Sequence, residues 1–91
     1  MLLDIIETTQ FRRDIKKTKL RGKNLFKLKS IVLLLCHNEP IPLKNKDHNL
    51  IGNWQGYREC HIEPDWLLIY RIQLDKNILE LARTGTHSDL F

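Results

Sequence analysis

The order of patterned segments predicts an α+β domain: an opening strand, two helices, and then an antiparallel meander, with both helices on one face of the sheet. Three observations carry this reading. Leu25, Leu28, Val32 and Leu35 recur at i, i+3, i+7 and i+10, the spacing of one helical face. After the Glu39-Pro40-Ile41-Pro42 break the chain turns to short aromatic and branched runs. Two of those runs, 66–73 and 78–84, are joined by Leu74-Asp75-Lys76-Asn77, a hairpin loop in composition.

Leu2 to Glu7 is short and mostly apolar, an opening strand. Thr8 and Thr9 both suit an N-cap, because a hydroxyl oxygen can accept from the free N–H groups of a first turn. A first helix follows from Thr9 to about Arg21, with Phe11, Ile15 and Leu20 inward and Arg12, Arg13, Lys16, Lys17 and Lys19 in water. Gly22 fits a C-terminal cap or a tight helix–helix turn. A second helix spans Lys23 to Cys36 or His37, its stripe widened by Ile31 and Leu34. Pro40 ends it, since the residue before a proline avoids the helical conformation. Asn49 to Gly52 and Gln55-Gly56 carry turn chemistry, 57–62 alternates as a strand, and Pro64-Asp65 breaks it.

Ninety-one residues make one domain, 1–91. Hydrophobic content of 42% and charged content of 29% are those of an ordinary soluble domain. No apolar run approaches the roughly 20 residues that span a bilayer, and no basic segment followed by an apolar one opens the chain. A cytoplasmic protein without membrane contact is therefore expected. Cys36 and Cys60 form no CxxC pair and lie in apolar-periodic segments, where a free cysteine acts as a small hydrophobe in a reducing compartment.

The net charge of +4 is unevenly spread. Residues 1–46 hold eleven Lys/Arg against four Asp/Glu, a net of +7, and residues 47–91 hold four against seven, a net of −3. A cationic half can grip a polyanion through its phosphates; a solvated helical face has the same composition.

Chemistry-bearing residues gather in the second half. His48 lies in the polar stretch after the prolines, His61 ends a strand, Asp65 and Trp66 follow Pro64, Arg83 closes the last strand, and His87 lies in Gly85-Thr86-His87. Histidines, an acid and arginines are the stock of an acid–base ribonuclease. A base takes the 2′-hydroxyl proton, an acid protonates the leaving 5′-oxygen, and a cation holds the phosphate. Each residue also has a plainer reading. His61 suits a half-buried strand histidine, His48 and His87 suit a surface, Arg83 suits a structural ion pair, and Trp66 suits the core or a cleft wall. The histidines show no HxxxH spacing and have no cysteine pair beside them, so no metal and no cofactor are expected.

Lys46-Asp47-His48, Gly52-Asn53-Trp54-Gln55-Gly56-Tyr57-Arg58, His61-Ile62-Glu63-Pro64-Asp65-Trp66, Leu68-Ile69-Tyr70, Arg83-Thr84-Gly85-Thr86-His87 and Leu90-Phe91, in this order, resemble the YafQ branch of the RelE toxin superfamily. The resemblance covers essentially the whole chain. It implies a RelE-like, microbial-RNase-like fold with a curved antiparallel sheet, and an mRNA endoribonuclease acting in the A site of the 70S ribosome. It also implies a DinJ-like acidic antitoxin as partner, with operator DNA reached only through that antitoxin. By position it marks His48, His61, Asp65 and His87 as catalytic, Arg83 as a basic residue of the cleft, and Phe91 as a terminal aromatic linked to activity. His87 and Asp65 would share the proton transfers, with His87 as general acid. Arg83 would hold the scissile phosphate, and Phe91 would pack on a base or order the terminus. Trp66 joins the substrate-binding candidates. Lys16, Lys17, Lys19, Arg21, Lys23 and Lys27 are expected to contact ribosomal RNA. Two rival functions share the fold: a non-catalytic toxin acting by protein contacts, as gyrase-inhibiting relatives do, and a co-repressor acting with its antitoxin.

Overall fold

The structure, a computed structural model, describes residues 2–91. A strand β1 (Asp4–Glu7) leads into helices α1 (Thr9–Leu20) and α2 (Leu25–Cys36). A two-residue strand β2 (His48–Asn49), three longer strands β3 (Arg58–Glu63), β4 (Trp66–Gln73) and β5 (Ile78–Gly85), and a one-turn helix α3 (His87–Leu90) follow. Helix α1 starts where its cap predicts. Thr8 accepts from the Phe11 N–H and Asn24 from the Phe26 N–H, so α2 begins two residues later than Lys23. Gly22 takes φ +77 between them, a conformation costly for any residue with a Cβ.

The five strands form one sheet in the order β1-β5-β4-β3-β2. The β3-β4-β5 meander is antiparallel, as expected, but β1 pairs with β5 in parallel, so the sheet is mixed. A parallel neighbour needs a long crossover, and everything from α1 to β4 lies between these two strands. The strand is also shorter than its apolar run. Leu3 turns into the core, whereas Ile5 and Ile6 lie half exposed on the sheet edge.

Helices α1 and α2 cover one face. Phe11, Leu28, Ile31 and Leu35 pack there on Cys60, Ile62, Trp66, Leu68, Tyr70, Leu79 and Leu81. Fully burying each large apolar side chain contributes about 1.5–3 kcal/mol. Leu20 departs from expectation: it is 89% exposed, and the third buried turn of α1 is made by Thr18 instead. Cys36 and Cys60 are buried free thiols, and burial pushes the Cys60 thiol up to about 12.

On the helix-free face a smaller cluster joins Leu67, Ile69, Ala82 and Leu90. Two bulges shape that face. One lies between His61 and Glu63, and the other shifts register so that Tyr70 meets Leu81 while Ile69 meets Arg83. The second bulge takes Arg83 out of step with Leu79 and Leu81, so it escapes the apolar face that simple alternation assigns it. Beyond the end of β1 the free edge of β5 is met by α1. The Asp14 carboxylate, 5% exposed, accepts from the Thr84 N–H at 3.1 Å and from Arg83 Nε at 2.9 Å and Nη2 at 3.1 Å.

Candidate active site

Three imidazoles form a row across one end of the helix-free face. His61 stands between the others, its ring centroid 6.4 Å from that of His48 and 5.7 Å from that of His87. Pairing and alternation bring the first two together: His48 on β2 lies opposite Glu59 on β3, and His61 is two residues further along the same strand face. His87 arrives from the last turn of the chain, where α3 begins. Asp65, in the β3–β4 hairpin, lies beside it.

Each ring has its Nδ1 tied to a protein acceptor. His48 Nδ1–H donates to the Lys46 carbonyl at 2.7 Å, His61 Nδ1–H to the Pro64 carbonyl at 3.2 Å, and His87 Nδ1–H to Asp65 Oδ1 at 2.7 Å. Carbonyl and carboxylate oxygens only accept, so the proton of each neutral ring sits on Nδ1 and Nε2 is left as the base. Asp65 also accepts from the His87 backbone N–H at 2.9 Å. These two bonds, the backbone one foremost, hold its carboxyl below the usual aspartate range.

Glu59 is a residue that the sequence reading missed. Its carboxylate is 5% exposed, and Oε1 lies 3.5 Å from His48 Nε2 and 3.9 Å from His61 Nε2. Oε2 is buried without a hydrogen-bond partner. A buried negative charge costs free energy unless a cation faces it, which makes these two rings its natural counter-charges when protonated. The available signal was the alternation of Glu59 with His61, which reads equally well as ordinary strand patterning.

His48 is anchored by its predecessor. Asp47 accepts from the Tyr70 hydroxyl, and from Arg58 Nε and Nη2 at 3.3 and 3.0 Å. Arg58 also donates to Asn49 at 2.6 Å. The loop that carries His48 is thereby fastened to β3 and β4.

The other predicted site residues divide. Trp66 does not line the site: it is 2% exposed among the helix-side core, and its Nε1–H donates to Thr84 Oγ1 at 2.9 Å. It therefore offers no face for a base to stack on, which corrects its place among the substrate-binding candidates. Arg83 is engaged through one edge by Asp14, a structural ion pair, and its remaining N–H groups make no further hydrogen bond among the described residues. Phe91 is 64% exposed and follows α3 directly. Of the six cations, Lys17 and Arg21 pair with Asp89, and Lys23 and Lys27 pair with Glu63. Lys16 and Lys19 lie on the side of α1 turned away from Lys17 and Arg21 by helical spacing. Beside His61 an open cleft of about 330 Å³ is lined by Lys27, Lys44, Asn45 and Lys46, so cations flank the row of rings.

The arrangement supplies positioned bases, their conjugate acids and nearby cations, which is the equipment of acid–base phosphodiester cleavage. Among the described residues no three His, Cys, Asp or Glu side chains converge closely enough to hold a metal ion. Among the described residues no helix is long and apolar enough to cross a membrane.

Residues 3–91 match the model of a family described as a bacterial toxin of type II toxin–antitoxin systems, YafQ. A protein named mRNA interferase toxin YafQ, from Escherichia coli K12, is 46% identical over 89 residues, covering 97% of this chain and 95% of that one. The toxin in a crystal structure of the E. coli DinJ–YafQ toxin–antitoxin complex superposes with a TM-score of 0.90 at 46% identity, covering 100% of this chain and 99% of that one. A metal-bound toxin from Helicobacter pylori superposes with a TM-score of 0.93 at 40% identity, covering 99% of this chain and all of that one.

Proposed function

This chain belongs to the YafQ family of bacterial toxins of type II toxin–antitoxin systems, and we propose that it acts on mRNA held in the ribosomal A site, using the row of His48, His61 and His87 with Asp65 as its acid–base machinery. It is an mRNA interferase, an endoribonuclease toxin, as its close relatives are named. Its partner is an antitoxin, and the relative solved as a DinJ–YafQ complex makes a DinJ-like protein the chemistry to expect.

The observation that carries this reading is the common state of the three rings: Nδ1 is fixed in each, and Nε2 is left for proton transfer. One ring, as base, removes the 2′-hydroxyl proton. The 2′-oxygen attacks phosphorus, the bond to the 5′-oxygen breaks, and a protonated ring supplies that oxygen with its proton. His87 is the general acid, because the Asp65 carboxylate accepts from its Nδ1–H and fixes the ring with Nε2 free to pass a proton. His61 or His48 is the base, with Glu59 supporting the charge it gains. The uncommitted edge of Arg83 and the lysines of the cleft beside His61 hold the phosphate and its neighbours.

The histidine row favours a ribonuclease over a toxin acting by protein contacts alone, which needs no acid–base set. Cytoplasmic location follows from this substrate. Analysis of the cleaved ends tests the chemistry. Cleavage through the 2′-oxygen leaves a 2′,3′-cyclic phosphate and a 5′-hydroxyl, and a message with 2′-deoxyribose at the cut position remains whole. Cleavage of the deoxy-substituted message at an unchanged rate would overturn it.

A further inference from the structure

We infer that Asp89 is the positioning residue of the active site, locking the one-turn helix that carries His87 onto α1. This inference rests on the ribonuclease reading of the His87 site, to which it adds a residue that touches neither substrate nor imidazole.

A four-residue helix has no stability of its own, since a single turn fixes several dihedrals for one hydrogen bond. Something else must hold α3, and His87 is its first residue. The contacts converge on one carboxylate. Asp89 accepts from Arg21 Nη1 at 2.6 Å and Nη2 at 3.1 Å, from Lys17 Nζ at 3.1 Å, and from the Thr86 backbone N–H at 2.9 Å. Its own N–H donates to Thr86 Oγ1 at 3.2 Å, which closes a reciprocal cap at the start of α3. Gly85, at φ +155, leaves room for it; a Cβ there would stand 2.8 Å from Asp89 Oδ2. Leu90, packed under the helix-free face, holds the other side of the turn.

The geometry therefore runs from α1 through Asp89 to Thr86, and from there to the adjoining N–H and ring of His87 on Asp65. Lys17 and Arg21, read from sequence as RNA contacts, are the fixed end of this latch. A reactive group misplaced by about 1 Å can lose about 100-fold in rate. Releasing the latch should act on turnover, because it moves His87 rather than removing a binding contact.

The test uses the full-length protein on programmed ribosomes, with wild type, Asp89→Ala and Asp89→Asn. Asn keeps a capping oxygen but discards the charge that grips Arg21 and Lys17. Each protein is checked for fold by circular dichroism, and the Asp65 carboxyl is followed by 13C NMR. Asp89→Ala should lower kcat at least 10-fold with KM within about twofold. Asp89→Asn should fall between the two, and the Asp65 titration should move up toward the usual aspartate range as His87 leaves it. An unchanged kcat would overturn the inference. So would a lower KM with kcat retained, which would mean that Asp89 merely masks two RNA-binding cations. A loss of kcat with the Asp65 titration unmoved would also overturn it, since His87 would then be in place. If Asp89→Ala does not fold, Asp89→Asn alone decides by the same criteria. An inactive wild type would instead sink the ribonuclease reading beneath it.

Discussion

Asp65 Oδ1 accepts two hydrogen bonds from a single residue, the His87 backbone N–H at 2.9 Å and its Nδ1–H at 2.7 Å. One oxygen thus sets both where the backbone of α3 starts and which nitrogen of its first side chain carries the proton. Replacing Asp65 with Ala removes both constraints and the charge that faces the ring. Cleavage should fall about 100-fold or more, through kcat rather than KM. Single-turnover cleavage under saturating ribosomes reads this, and an Asp65→Ala protein cutting at the wild-type rate would remove Asp65 from the site.

Glu59 faces two rings from a buried position. Glu59→Gln keeps the shape and discards the charge. The mutant should fold normally and cleave about 10- to 100-fold more slowly, because a positioned charge acts strongly where water is excluded. Equal rates with a native circular dichroism spectrum would make Glu59 a strand residue only.

Trp66 separates a core role from a stacking role. Trp66→Phe loses the indole N–H that Thr84 Oγ1 accepts, and some packing volume. A stability loss of about 1–3 kcal/mol is expected in urea unfolding, with cleavage by the folded fraction retained. Unchanged stability with impaired RNA binding would restore the stacking role.

The acid limb of stability should belong to three carboxylates. Arg21 foremost holds Asp89 far below the usual carboxylate range, the His87 N–H foremost lowers Asp65, and Lys23 foremost lowers Glu63. A carboxyl whose folded pKa is depressed contributes stability that is complete above its unfolded value, about 4, and lost as pH falls from there through the folded value. The thermal midpoint should therefore be flat from neutral pH to about pH 5 and drop below about pH 4. In Asp89→Asn the midpoint should start lower and lose less on acidification. An identical acid limb in wild type and Asp89→Asn would contradict this.

Much of the fold was legible because its signals are local. The Leu25–Leu28–Val32–Leu35 stripe, the Thr8 cap, the Pro40 break and the 74–77 loop each act within a few residues. The parallel pairing of β1 with β5 was not, because it depends on where a crossover of two helices returns the chain. The bulge opposite Ile69 was equally hidden, and without it Arg83 is assigned to the wrong face. Residue type singled out His48, His61, Asp65 and His87 and the family resemblance marked them as a set; the fold brings them to one end of the sheet. The acids that organise them, Glu59, Asp47 and Asp89, could not be singled out, because each does its work across the fold rather than along the chain. The same limit hid Asp14, which looks like one more polar position on α1 and is instead the partner of Arg83.

The most direct test is cleavage of a defined message on programmed 70S ribosomes in the presence of EDTA, with His87→Ala beside the wild type. Cuts by the wild type that disappear in a folded His87→Ala protein are the predicted result, and would place metal-independent acid–base chemistry at His87. No cleavage by a folded wild type under these conditions, or equal cleavage by both proteins, would contradict the account.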